Sequence, residues 1–246
     1  MTNTVFELEN ISFAYPQGEV ALNNINFSIK SGESVALLGA NGCGKSTLFR
    51  LLCGLIFAQS GKFSAFGSQV NKKNFDDDAF SKNFHRSIGF IFQNADAQLF
   101  CSNIRDDIAF GLMQLNTPLD IVEQHITDIS QMLGISHLLD KPPYRLSGGE
   151  KKKAALAGVL CLNPDVLLLD EPTNELDPRT QRFLISLLNS LNRAGKTIIL
   201  STHNLELAEA LCSRAILFDE DHKVAADKPV STLLLDKKLL EKVNLI

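Results

Sequence analysis

The segment Gly39-Ala40-Asn41-Gly42-Cys43-Gly44-Lys45-Ser46 constrains this chain more than any other. It fits GxxxxGK[ST] at every fixed position. In that pattern glycines let backbone N–H groups turn inward and cradle phosphate oxygens. The context matches as well. The continuous apolar run Val35-Ala36-Leu37-Leu38 reads as a strand buried on both faces, and the residues after the loop read as a helix with Leu48, Phe49, Leu51, Leu52 and Leu55 on its apolar face. A helix starting near Lys45 adds its positive end to the anion site. Lys45 is placed to contact the β- and γ-phosphates and Ser46 to ligate Mg²⁺. Gly39, Ala40, Asn41, Gly42, Cys43, Gly44, Lys45, Ser46 and Thr47 are therefore the candidate nucleotide-binding set. Cys43 reads as a small residue where only the backbone matters.

A strand–loop–helix start calls for a parallel α/β sheet, and the last third of the chain supplies one. Val166–Leu169 and Thr197–Leu200 read as buried strands, joined by a helix carrying Phe183, Leu184, Leu187, Leu188 and Leu191. Asp170-Glu171 ends the first of these strands, at the sheet edge where ligands bind in this architecture. Asp170 is the candidate Mg²⁺ partner, and Glu171 the candidate general base for an attacking water.

The first third reads instead as half-buried antiparallel strands. Phe6 and Leu8, then Ile11, Phe13 and Tyr15, then Ile25, Phe27 and Ile29 alternate, with turns at Asn10 and Pro16-Gln17-Gly18. Residues 71–84 read as a polar surface loop containing Asp76-Asp77-Asp78, and Ile88–Phe92 as a further strand. From about 95 to 160 the pattern turns helical. Thr117 is the expected cap and Pro118 the first helical residue. Val122, Ile126, Ile129 and Leu133 follow the 3.6-residue period up to Gly134. Leu146-Ser147-Gly148-Gly149-Glu150 opens another helix, with Ser147 and Glu150 spaced as a capping box. Residues 229–246 read as a short helical tail.

Composition narrows the class. With 45% hydrophobic and 21% charged residues, disorder is excluded, and 246 residues suffice for a sizeable core. The net charge is −4 and the only basic run is Lys151-Lys152-Lys153, which argues against a nucleic-acid partner. The five cysteines are odd in number and contain no CxxC, as expected of reduced thiols. The start of the chain carries no secretory pattern, and no stretch approaches the ~18–20 apolar residues needed to cross a bilayer. A soluble protein is expected, with any membrane role exerted through a partner.

The ordered series Tyr15, the phosphate loop, Gln93, Leu146–Glu150, Asp170-Glu171, Asn174-Glu175-Leu176-Asp177 and His203 resembles the ATP-binding-cassette (ABC) ATPases over essentially the whole length. The resemblance implies a P-loop NTPase of α/β class, with a RecA-like parallel-sheet core, an N-terminal antiparallel β subdomain and an inserted α-helical subdomain. Residues 1–94 and 161–228 would form the nucleotide core with its β subdomain, 95–160 the helical subdomain and 229–246 the tail. It further implies that Tyr15 stacks on adenine and that Gln93 touches Mg²⁺ and the attacking water. Ser147, Gly148 and Gly149 would bind the γ-phosphate held by a second subunit. Asp177 would lie at the dimer seam, and His203 would contact the γ-phosphate. ATP and Mg²⁺ are the implied cofactors.

A narrower resemblance rests on Ile88–Phe100 and Leu146–Gly158, which are similar to ATPases of energy-coupling factor (ECF) importers. That family takes up vitamins and transition metals such as cobalt and nickel. Its ATPases work as dimers on the cytoplasmic face of the cell membrane, beside an integral membrane coupling subunit and a substrate-binding membrane subunit. Leu99 and Phe100 would lie near the groove that receives the coupling helix. Ala95, Lys153, Asn174-Glu175 and Asn204 depart from the common family residues. The alternatives are the ATPase of another transporter, an importer of vitamins or an exporter, and a non-transport ABC ATPase. The latter usually carries insertions that this sequence lacks.

Overall fold

A computed structural model describes residues 3–174 and 176–246. Strand β1 (Thr4–Ala14) and strand β2 (Val20–Lys30) form a hairpin, and β3 (Ser34–Leu38) leads through the phosphate loop into α1 (Lys45–Leu52). Then follow β4 (Ser60–Ala65), β5 (Ser68–Gln69), α2 (Lys72–Phe75), α3 (Asp78–Ser87) and β6 (Ile88–Ile91). The helices α4 (Ile104–Gln114), α5 (Leu119–Leu133) and α6 (Gly148–Leu160) make up the inserted region. The chain returns through β7 (Val166–Asp170), α7 (Pro178–Arg193), β8 (Thr197–Thr202), α8 (Leu205–Leu211), β9 (Arg214–Phe218) and β10 (Val224–Pro229). It ends in α9 (Val230–Leu234) and α10 (Lys237–Lys242).

Two sheets result. One is antiparallel, in the order β2-β1-β4-β5. The other runs β10-β9-β3-β8-β7-β6 and is parallel except for its β10 edge. The second explains the unbroken apolar runs. Successive side chains of a strand point to opposite faces, and here both faces are covered. Ala36, Leu38, Leu167, Leu169, Ile198 and Leu200 join the core shared with the inserted helices, α7 and the tail. Val35, Leu37, Val166, Leu168 and Ile199 join the core shared with α1 and the antiparallel sheet. The inserted helices pack through Ile104, Ile108 and Leu112 of α4, Val122, Ile126 and Leu133 of α5, and the alanines of α6. The tail is part of this core through Val230, Leu233, Leu240 and Val243.

Several local expectations are corrected. Residues 71–84 are not a surface loop. Asn71 caps α2, and Asp77 caps α3 by accepting from the N–H groups of Ala79 and Phe80, so the acidic run starts a helix. Asn10 does not end a strand. It sits at φ 53° inside β1, where the register against β2 shifts, and acts as a bulge. Leu55 lies beyond α1, after a turn at Gly54, and is exposed. Thr117 does not cap α5. Its N–H is bonded to the Leu112 carbonyl at the end of α4, and Pro118 is the flanking residue. The end of that helix is as expected, with Gly134 at φ 67°. Glu175 and the first residues, Met1 and Thr2, on which two expectations bear, lie outside the described residues.

Candidate active site

The phosphate loop hangs between the C-terminal end of β3 and the first turn of α1. Gly44 stands at φ 108°, and a Cβ there would drive into the Ala21 carbonyl, so the loop can pass only with glycine at that point. Lys45 is buried. Its ammonium donates to the carbonyls of Gly39 (2.7 Å) and Ala40 (2.9 Å) and to Cys43 Sγ (3.7 Å). The cation is thus held inside the loop that would cradle phosphates. β7 brings Asp170 to the same edge, where Ser46 Oγ donates to Asp170 Oδ2 at 2.9 Å across 124 positions of sequence. Asn41, Gly42, Gly44, Lys45, Ser46, Thr47, Gln93, Asp170 and Glu171 line one cavity of about 160 Å³.

Glu171 forms the inner wall. It is buried and takes φ 43°, a left-handed conformation that costs a non-glycine residue about 1–3 kcal/mol. Three donors from the end of β8 hold its carboxylate. Thr202 Oγ1 donates to Oε2 at 3.1 Å. The His203 backbone N–H (3.1 Å) and ring Nδ1 (2.6 Å) meet Oε1. In the tautomer that carries its proton on Nδ1, the ring donates to this carboxylate. The imidazole is half exposed toward solvent.

Tyr15 lies at the outer end of the loop. Its hydroxyl is 3.2 Å from Thr47 Oγ1 and accepts from Arg50 at 3.0 Å, and its ring packs edge-on against Phe13 at 5.2 Å. The donor set also fits the ion expected with ATP. Mg²⁺ prefers oxygen ligands and is usually bound by one or two carboxylates plus substrate phosphates. A hydroxyl and a carboxylate 2.9 Å apart beside the phosphate cradle match that need. No cluster of three or more His, Cys, Asp or Glu that could hold a metal ion occurs among the described residues.

The Ser147 segment sits elsewhere. Ser147 and Glu150 form a complete capping box at the start of α6, with Ser147 N and Oγ each 2.8 Å from Glu150 Oε2. Those bonds hold the Glu150 carboxyl below its ordinary pKa. Asp177 caps α7, accepting from Thr180 Oγ1 (2.6 Å) and from the N–H groups of Arg179 and Thr180. These contacts, the Thr180 hydroxyl foremost, lower its pKa too. A Cβ on Gly149 would stand 3.0 Å from Thr180 Oγ1, so the α6 start and the Asp177 turn pack directly on each other. None of Ser147, Gly148, Gly149 or Asp177 lines the phosphate cavity.

A sequence model described as "ABC transporter" matches residues 22–174. The chain belongs to the ABC transporter ATPases. The nickel import ATP-binding protein NikO of Rhodobacter capsulatus is 43% identical over 98% of this ABC ATPase and 95% of its own length. The energy-coupling factor transporter ATP-binding protein EcfA2 of Methanospirillum hungatei is 39% identical over 98% of it and 59% of that longer relative. Among solved structures, cbiO1 from Clostridium perfringens, described as part of the transporter complex cbiONQ, superposes with TM-score 0.84 at 34% identity, covering 99% of this chain and 95% of that one. The cassette MJ0796, solved as a dimer in a post-hydrolysis state with ADP and Pi, gives 0.82 at 28% identity, covering 92% and 98%. The fold, the ATPase class and the ECF-type resemblance read from the motifs agree with these relatives.

The candidate residues thus fall into two groups. Tyr15, residues 39–47, Gln93, Asp170, Glu171 and His203 converge at one end of the parallel sheet. Ser147, Gly148, Gly149 and Asp177 form a second surface of the same ABC ATPase. Two residues that touch this set escaped the sequence reading: Thr202 behind Glu171 and Arg50 on Tyr15.

Proposed function

We propose that this ABC ATPase is the ATP-hydrolysing subunit of an ECF-type importer for a transition-metal ion, nickel or cobalt. In this reading it works as a head-to-tail dimer with two ATP molecules at the seam, on the cytoplasmic face of the cell membrane. The observation that carries the dimer is the separation of the two groups. A complete phosphate cradle with its base lies on one surface, and a capped, glycine-lined helix start suited to an anion lies on another. Twofold pairing would bring each cradle against the partner's helix start.

In the site, Lys45 would leave its loop carbonyls for the β- and γ-phosphates, with Tyr15 as the stacking face for the base. Ser46, Asp170 and Gln93 would hold Mg²⁺, which when bound neutralises developing phosphate charge. Glu171 would take the proton of the attacking water through the carboxylate that Thr202 and His203 orient. His203, with its ring facing solvent, would turn toward the γ-phosphate.

Coupling to the membrane is assigned to a groove of about 190 Å³ that includes Phe90, Gln98, Leu99, Phe100, Asp107 and Phe110. Leu99 is core, whereas Phe100 is exposed and packs edge-on against Phe110. Among the described residues no N–H or O–H group donates to the buried Asp107 Oδ2 there, which makes it an acceptor suited to a donor on a docking helix. Nickel follows the printed name of the relative NikO, and the ECF type that of EcfA2, while cobalt rests on the motif resemblance alone.

The test is Glu171→Gln. It should bind ATP, turn over about 10²–10⁴-fold more slowly and accumulate as an ATP-dependent dimer by light scattering. Near-parental hydrolysis would remove Glu171 from the role of base. Radiolabelled nickel and cobalt uptake by membranes carrying the partner subunits would decide the cargo.

A further inference from the structure

The basic run Lys151-Lys152-Lys153 lies on α6, within two turns of Ser147, and each ammonium has a separate target. Lys151 pairs with Asp96 at 2.6 Å, and Lys153 lies 4.5 Å from the centre of the Phe183 ring. Lys152 is buried. Its Nζ donates to the backbone carbonyls of Phe92 (2.8 Å) and Gln93 (3.3 Å), the first two residues after β6 ends. A buried ammonium needs such acceptors, and a carbonyl pair gripped by a charge gives a charge-assisted contact stronger than a neutral one. The Gln98 amide binds the same segment at the Phe92 N–H and the Phe90 carbonyl.

We propose that Lys152 is a positioning residue for Gln93: from the helix that carries Ser147 and Gly149, its ammonium fixes the backbone from which the Gln93 side chain reaches the phosphate cavity. Gln93 lines that cavity, and its own carbonyl is one of the two atoms held. The contact makes the helix start and the nucleotide-facing loop one mechanical unit. A shift of Gln93 toward bound nucleotide displaces α6, and with it the surface that faces a second subunit. The adjoining Lys151–Asp96 pair grips the same segment three residues further on. The inference rests on the reading of Gln93 as a contact to Mg²⁺ and water.

The experiment compares Lys152→Met, Gln93→Ala and the double variant in the full-length chain, measuring kcat, KM for ATP, the Mg²⁺ concentration for half-maximal rate, and binding of a fluorescent ATP analogue. Lys152→Met, which removes both charge-assisted hydrogen bonds to the Phe92 and Gln93 carbonyls, should lower kcat at least about tenfold and raise the Mg²⁺ midpoint, with analogue affinity unchanged within about twofold. The double variant should be no slower than Gln93→Ala alone, because both changes remove one function. A double variant that loses the product of the two single effects, or a Lys152→Met enzyme with the parental Mg²⁺ midpoint, overturns the proposal. Should Gln93→Ala itself leave kcat and the Mg²⁺ midpoint unchanged, it is the reading of Gln93 that fails. If Lys152→Met lowers the thermal unfolding midpoint, Lys152→Gln, which keeps an amide donor, takes its place in the same cycle.

Discussion

Lys45 and Glu171 show opposite uses of burial at neighbouring positions. The lysine is satisfied by three acceptors of its own loop, so it is ordered before any nucleotide arrives, and phosphate has only to exchange with carbonyls. Lys45→Ala should therefore weaken ATP binding by at least about tenfold, the loss of one hydrogen bond to a charged group, in a titration with the fluorescent analogue. Unchanged affinity would contradict the phosphate-loop assignment. Glu171 instead sits in a backbone conformation that glycine prefers, held by Thr202 and His203. Thr202→Val keeps the shape but removes the donor to Oε2. It should lower kcat while leaving KM for ATP unchanged, the signature of a contact that matters after binding. The motif residues were legible because each chemical role demands a residue type at a fixed spacing. Thr202 and Arg50 were not, since their partners Glu171 and Tyr15 are neighbours only in the folded chain.

Elements were legible where one physical demand dominates. β3, β7 and β8 are covered on both faces and show as unbroken apolar runs. Helix α5 has a single buried stripe and a glycine stop. Helices α2 and α3 were hidden because their apolar residues, Phe75, Phe80 and Phe84, are few among polar ones and gain their value from stacking on each other. The bulge at Asn10 looked like a turn because both need a left-handed residue. At the start of α6 the capping box gives a direct prediction. Ser147→Ala should destabilise the protein by about 0.5–2 kcal/mol in urea unfolding at neutral pH. Glu150 has a folded pKa below its ordinary 4.5, so its part of the box is fully present above that value and fades as pH falls through the lower folded one. The stability gap between parent and Ser147→Ala should therefore shrink on acidification below about 4.5. A gap that widens instead would mean that the two side chains do not act together.

Across the whole molecule, sheet order decides when the site can exist. β3, which carries the phosphate loop, is flanked only by β8 and β9, whose first residues come more than 150 positions later. At about 5–20 residues per second, a ribosome would need on the order of 10–30 seconds between making the loop and making its first strand partner. Throughout that interval the cradle has a sequence but no sheet to hang from. Capture of ATP is then a late event in the life of the polypeptide, and it reports that the distant end of the chain has arrived. Ribosome-bound chains stalled before Thr197 emerges should fail to retain an ATP analogue, whereas chains released at full length should hold it. Retention by the shorter chains would show that the loop can form without its neighbours.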